Sequence, residues 1–150
     1  MILAEALNLR ANLQERISQV RERIIDNVKV QEGDKPMESP EVLFVELNDL
    51  FIQLQELIYR INKTNMTAVV DGKTLTELIA ARDVLKLKIA AYRAIVGNSL
   101  IKVDRYSHNE IRFVRTIDAA AIQKQVDSMA KEYRELDIKI QQANWATELA

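Results

Sequence analysis

Three glycines and two prolines are the only strong breakers in 150 residues, and each falls where a repeating apolar pattern stops. Between them, apolar side chains return at three- and four-residue steps, which gathers them on one side of an α-helix. Leu3, Ala6, Leu13, Ile17, Val20 and Ile24 set this rhythm over about residues 2–28. The stretch VQEGDKPMESP, with Gly33, Pro36 and Pro40, ends it. Ser39–Pro40–Glu41 then reads as a helix start: a capping hydroxyl, a proline at the first helical position and an acid in the first turn.

The second helix, about 40–64, carries Leu43, Leu47, Leu50, Leu54, Leu57 and Ile61. Asp71–Gly72 reads as a turn. Thr74 and Glu77 form a capping-box pattern that opens a third helix, about 74–97, with Leu78, Leu85, Ile89, Tyr92 and Val96 on one side. Asp118 is placed to cap a fourth helix, about 118–144, along Ile122, Val126, Met129, Tyr133, Leu136, Ile140 and Ala143. Four helices of matched length predict an all-α protein: an up-down-up-down four-helix bundle with coiled-coil-like long helices, in a single helical domain over residues 1–150. In that topology the chain termini and residues 64–73 share one end. Loop 28–39 and residues 101–117 share the other.

One segment breaks the helical rule. DRYSHNEIRFVRT, within about 101–117, is rich in β-branched and aromatic residues about a turn at SHNE, and predicts a small β-hairpin between helices 3 and 4. Pairing Tyr106 with Ile111 would set Arg105 opposite Arg112 and Lys102 opposite Arg115. Like charges directly opposed need compensation. An anion or a nucleic-acid phosphate supplies it in one reading. Glu32, Asp34, Glu38 or a partner's acids supply it in the other, which is preferred here because a one-residue slip dissolves the pairing.

The second helix has more apolar surface than one face needs. Phe44, Phe51 and Ile58 widen the main face, and Val45, Ile52 and Tyr59 form a heptad-spaced line roughly opposite. Such a line is expected to be covered by a neighbouring helix or a second subunit, so Val45, Ile52 and Tyr59 are the candidate subunit interface of a homo-oligomer. Arg10 and Arg82 occupy positions that their seams reserve for apolar side chains. Snorkelling explains both, and an ion pair of Arg82 with Asp83 or Glu77 is the sharper alternative. Trp145 is expected to plug a bundle end. With Asn65, Asp71, Lys73 and Thr74 it outlines a candidate polar end pocket.

Chemistry is constrained mostly by what the chain does not contain. It has no cysteine and a single histidine, His108, which removes thiolate chemistry, histidine-bearing zinc sites and a Glu-x-x-His di-iron pair. There is no Gly-rich phosphate loop. No catalytic residue, metal ligand or cofactor site is assigned. Basic and acidic residues nearly balance, 21 against 22, so nucleic acid could attract only a local patch such as Lys102, Arg105, Arg112 and Arg115. The N-terminal stretch lacks an export signal's apolar run and no segment has a membrane span's length, so a cytoplasmic protein without a membrane partner is expected.

The blocks LAEAL, VQEG, INKTN, DGKTLTELIAARD, RYS, IRFV and the closing NWATEL resemble a family of small bacterial proteins of unknown function, some members of which are labelled septicolysin. The resemblance spans nearly the whole chain. It implies a largely helical, coiled-coil-like protein and no catalytic residues. The label implies a cholesterol-dependent toxin, a class that is large, secreted, β-rich and armed with a tryptophan-rich motif. One tryptophan, no export pattern and almost no strand do not fit that class. The function expected is a non-enzymatic, self-associating helical scaffold or interaction protein. The alternatives are an anion- or nucleic-acid-binding module at the basic hairpin, and an enzyme with a polar pocket near residues 65–74.

Overall fold

The computed structural model describes residues 1–101 and 111–150. The protein is mostly all-α, with α1 (Leu3–Asn27), α2 (Pro40–Thr67), α3 (Leu75–Asn98) and α4 (Ala119–Ala146). A two-stranded antiparallel hairpin, β1 (Val69–Val70) and β2 (Lys73–Thr74), joins α2 to α3. The chain forms two compact units, Met1–Leu75 with Gln141–Ala150, and Thr76–Ile140.

In the first unit α1 and α2 run antiparallel. Leu9 and Leu13 share a groove with Leu57 and Arg60, whereas Arg23, near the other end of α1, bonds Glu38 and Glu46. Their apolar seams meet as the three-four spacing requires, and Leu3, Ala6, Leu13, Leu43, Leu50 and Ile61 are buried. The last residues close this unit. The Leu3 amide, left without an intrahelical acceptor at a helix start, donates to the Thr147 carbonyl at 2.8 Å, and the Leu149 amide donates to the Met1 carbonyl at 2.9 Å. Buried Thr64 completes the clasp: its hydroxyl donates to the Arg60 carbonyl at 2.8 Å and accepts from the Ala150 amide at 2.9 Å.

Loop 28–39 is held by α1 itself. The Asn27 side chain donates to the Arg23 carbonyl at 2.8 Å and accepts from the Glu38 amide at 3.0 Å. Ser39 occupies the N-cap position of α2 but its side chain makes no cap bond. Pro40 has no N–H, so one fewer helix-start donor needs a partner.

The observed hairpin lies between α2 and α3. Val69 pairs with Thr74 and Val70 with Lys73. Asp71 and Gly72 have φ of 50° and 80°, the left-handed pair that a two-residue type I′ turn demands. Arms of two residues are too short to show a period in sequence, which is why only the turn was legible. Residues 102–110, the centre of the hairpin expected between α3 and α4, lie outside the described residues. Ile101 and residues 111–117 form no strand, and Phe113 and Val114 are exposed rather than packed. Arg115 reaches back to α3 instead, where its Nε donates to the Ser99 carbonyl at 2.9 Å just beyond the helix end. Cations ordinarily satisfy late helix carbonyls at such positions.

In the second unit α3 and α4 also run antiparallel. Ile89, Val126 and Met129 form a packed cluster flanked by Leu85, Tyr92, Ala130 and Tyr133. The Asp118 carboxylate accepts from the Ala121 amide at 3.1 Å, capping α4 as its sequence predicts.

Candidate functional site

The expected subunit interface is the clearest feature of α2. Its buried face is made by Leu43, Leu50, Leu57 and Ile61. On the far side Val45, Ile52 and Tyr59 are 65, 59 and 62% exposed. Phe44 and Phe51 do not widen the buried face as expected: both are exposed, and Ile58, one heptad beyond Phe51, is exposed as well. The physical reason is angular. By the ~100° step per residue, Phe44 and Phe51 sit roughly 90° from the centre of the seam, beyond the reach of a single packing helix. The two lines are therefore separate exposed apolar strips on α2, with Asn48 and Gln55 between them.

Two of the four expected basic positions are described. Lys102 and Arg105 lie outside the described residues. Arg112 is exposed, and Arg115 is bound to the Ser99 carbonyl. Of the acids expected to compensate them, Glu38 is engaged elsewhere: it receives both Nε, at 3.0 Å, and a terminal nitrogen of Arg23. That hydrogen-bonded guanidinium holds the Glu38 carboxyl below the ordinary glutamate value, and Glu38 raises the Arg23 value in turn. A different cationic cluster emerges in the second unit, where Lys86, Arg93 and Arg134 line a groove beside Tyr133 with no carboxylate in its wall. Lys86 and Arg93 are one heptad apart, a spacing that places them on one side of α3, but Arg134 comes from α4 and no sequence spacing links it to them.

At the end of α2, Asn65 and Thr74 are half-buried while Asp71 and Lys73 are exposed on the hairpin. Trp145 does not plug the core: it is exposed, and its neighbour Asn144 is buried instead. The seam explains the reversal. Ile140 and Ala143 are buried, and Asn144 follows Ile140 by one four-residue step, whereas Trp145 is rotated ~100° further.

Arg82 bears out the ion-pair alternative and adds a residue that the sequence did not indicate. Its Nε donates to Asp83 and a terminal nitrogen to Asp137, both at 3.0 Å. Burial works against its charge, and the bonds to Asp83 and Asp137 outweigh that, so its basicity rises on balance. Asp137 stands 55 residues from Arg82, so only the pairing of α3 with α4 brings them together. Arg10 is half-buried, in keeping with a snorkelling stem. Among the described residues no group of three or more His, Cys, Asp or Glu is placed to hold a metal ion. No helix among them is long and apolar enough to cross a membrane.

With the fold in place, residues 10–149 match the family of unknown function DUF6847. The chain belongs to that family. A crystal structure of a functionally unknown conserved protein from Corynebacterium diphtheriae is similar along the full length, with 42% sequence identity and a TM-score of 0.89, covering 100% of this chain and 99% of that one. No curated protein matches. Neither the family's description nor that of the similar structure carries a toxin name, so the septicolysin label finds no support in them. What the family supplies is membership and fold, and the functional reading has to come from the exposed faces.

Proposed function

We propose that this member of the family works as a non-enzymatic, self-associating helical scaffold or protein-interaction protein of the cytoplasm, folding as a single helical domain. The observation that carries the reading is the pair of apolar strips on α2, Val45, Ile52 and Tyr59 on one and Phe44 and Phe51 on the other, all exposed. So many large apolar side chains exposed on one helix mark an association surface. Aromatic side chains supply the large contact area typical of interface centres.

Light scattering on the full chain is expected to report an oligomer, and Ile52→Glu to shift it towards monomer. Burying a large apolar side chain contributes ~1.5–3 kcal/mol, so one charge in the middle of the Val45, Ile52 and Tyr59 strip moves the dissociation constant by roughly tenfold or more. A monomeric wild type at micromolar concentration would remove this reading.

A further inference from the structure

We propose that α3 docks a second copy of this chain, antiparallel, along a face that its own chain leaves bare; the inference rests on the self-association reading above and assigns it a surface in the second unit. α3 is apolar on two sides. Leu85, Ile89 and Tyr92 belong to the cluster that packs with α4. Roughly 150° around the helix by the ~100° step, Ala80, Val84, Leu87, Ala91, Ala94 and Asn98 recur at steps of four, three, four, three and four residues. This is the a/d pattern of a coiled-coil seam. Val84 and Leu87 are 63 and 70% exposed, and Ala80, Ala91, Ala94 and Asn98 are exposed beside them. A helix apolar on both sides is a buried helix, and a two-helix hairpin covers only one side.

The pattern also selects the occupant and its direction. Set Ala80 opposite Asn98 of a second copy, with the helices antiparallel. Val84 then meets Ala94 and Leu87 meets Ala91, and each pair recurs by the two-fold axis. Every large side chain lies against a small one, which is how facing layers interdigitate at interior density. Parallel pairing would instead set Leu87 against Leu87 and Ala91 against Ala91, alternating crowding with voids.

The flanks agree with the antiparallel choice. Ala81 approaches Ile95, Ala90 approaches its own copy, and Asp83 approaches Gly97. Lys88 is the one charge brought near its equivalent, and its ammonium leans instead over the Tyr92 ring, 5.6 Å from the centroid, towards the side packed on α4. The overlapped seam, Ala80 to Asn98, is ~27 Å long, and at ~10 Å wide it covers roughly 540 Å² on the two copies together, the size of a weak contact that adds to the α2 surface rather than replacing it.

The chain has no cysteine, so engineered thiols report pairing without background. Two full-length variants, Val84→Cys and Ala94→Cys, are prepared separately, mixed long enough to exchange subunits and oxidised mildly. A disulfide-linked dimer is expected in the mixture and in neither variant alone. Cross-linking of Val84→Cys with itself would establish parallel pairing and overturn the proposal. No cross-link in any sample, with light scattering still reporting a wild-type oligomer, would overturn the α3 docking face and leave the α2 reading standing. A monomeric wild type would remove both. Leu87→Glu provides a second readout: oligomer mass is expected to fall with far-UV helicity unchanged, and an unchanged mass counts against the α3 face.

Discussion

In the unit built from Met1–Leu75 and Gln141–Ala150, Leu3, Leu13, Leu50 and Ile61 are withdrawn from solvent almost completely, and the chain's two ends are tied together over them. In the unit Thr76–Ile140 the packed cluster is Ile89, Val126 and Met129 with half-buried neighbours. The first has α1, α2 and the closing segment to enclose a core. The second has two helices, whose packed cluster lies along the line where they meet. A two-helix hairpin removes too little apolar surface to balance the entropy of ordering its chain. The enclosed unit is closed by its clasp, whereas the open one carries an extra apolar seam on α3 and a partly buried ion-pair network, Arg82 with Asp83 and Asp137.

The largest expected effect comes from breaking the enclosed core. Leu50→Ala removes a buried side chain from between α1 and α2, and a loss of ~2–5 kcal/mol is expected because the surroundings collapse only in part. Met129→Ala, in the open unit, is expected to lose less, since nearby groups already face water and relax into the space. Chemical denaturation of both variants at two protein concentrations is the measurement. The Leu50 deficit should be the same at both, and the Met129 deficit should shrink as concentration rises and association supports the open unit. Equal deficits with equal concentration dependence would erase the contrast between the units.

Much of this was legible in the chain, for reasons that are local. Helix extents followed from the three-four spacing and from breakers at Gly33, Pro40 and Gly72, because a helix reports its buried side every turn. Asp118 showed itself as a cap through position alone. What escaped was decided by partners far away in sequence. Asp137 is an ordinary surface acid until α4 lies along α3 and sets it beside Arg82. The clasp of Thr64 on Ala150 depends on backbone groups, which leave no residue signature. Trp145 was misplaced because a large aromatic side chain suggests burial, whereas the helical phase gives that position to Asn144. The apolar seam of α3 through Val84 and Leu87 was in the sequence all along, but one apolar seam per helix satisfies the bundle pattern, and the second is visible only once the first is known to be filled.

An intermediate effect is expected at the clasp. Thr64→Val keeps the shape of a buried side chain and deletes its hydroxyl, leaving the Ala150 amide without its acceptor at 2.9 Å. A net hydrogen bond is worth ~1 kcal/mol, with up to a few more when a buried partner is stranded. Melting temperature should fall by several degrees at this chain length. Exchange of the Ala150 amide should accelerate, while amides of α3 around Ile89 keep their rates. Acceleration in both regions alike would mean that the clasp is not particular to the enclosed unit.

The smallest effect separates the two ion-pair sites by pH. Arg23 holds Glu38 across the loop from α1, first by its hydrogen bonds and then by its charge, and the Glu38 carboxyl titrates below the ordinary glutamate range. Because the folded value is the depressed one, this contribution is fully present above the unfolded glutamate value, roughly pH 4.3, and is lost as pH falls through the lower folded value. Both side chains are more than a third exposed, 43 and 41%, so solvent and salt keep the contribution small. Melting curves for the wild type and Glu38→Gln should differ slightly at pH 6–7 and converge towards pH 3. The difference should also narrow in high salt. Arg82→Gln, tested in the same series, should keep a larger deficit at pH 7 and lose less of it to salt, because the Arg82 side chain is 23% exposed and its guanidinium is bonded to two carboxylates. A Glu38 difference that persists undiminished at pH 3 would show that the side chain acts through packing, and the loop would then belong to the enclosed core rather than to its charged rim.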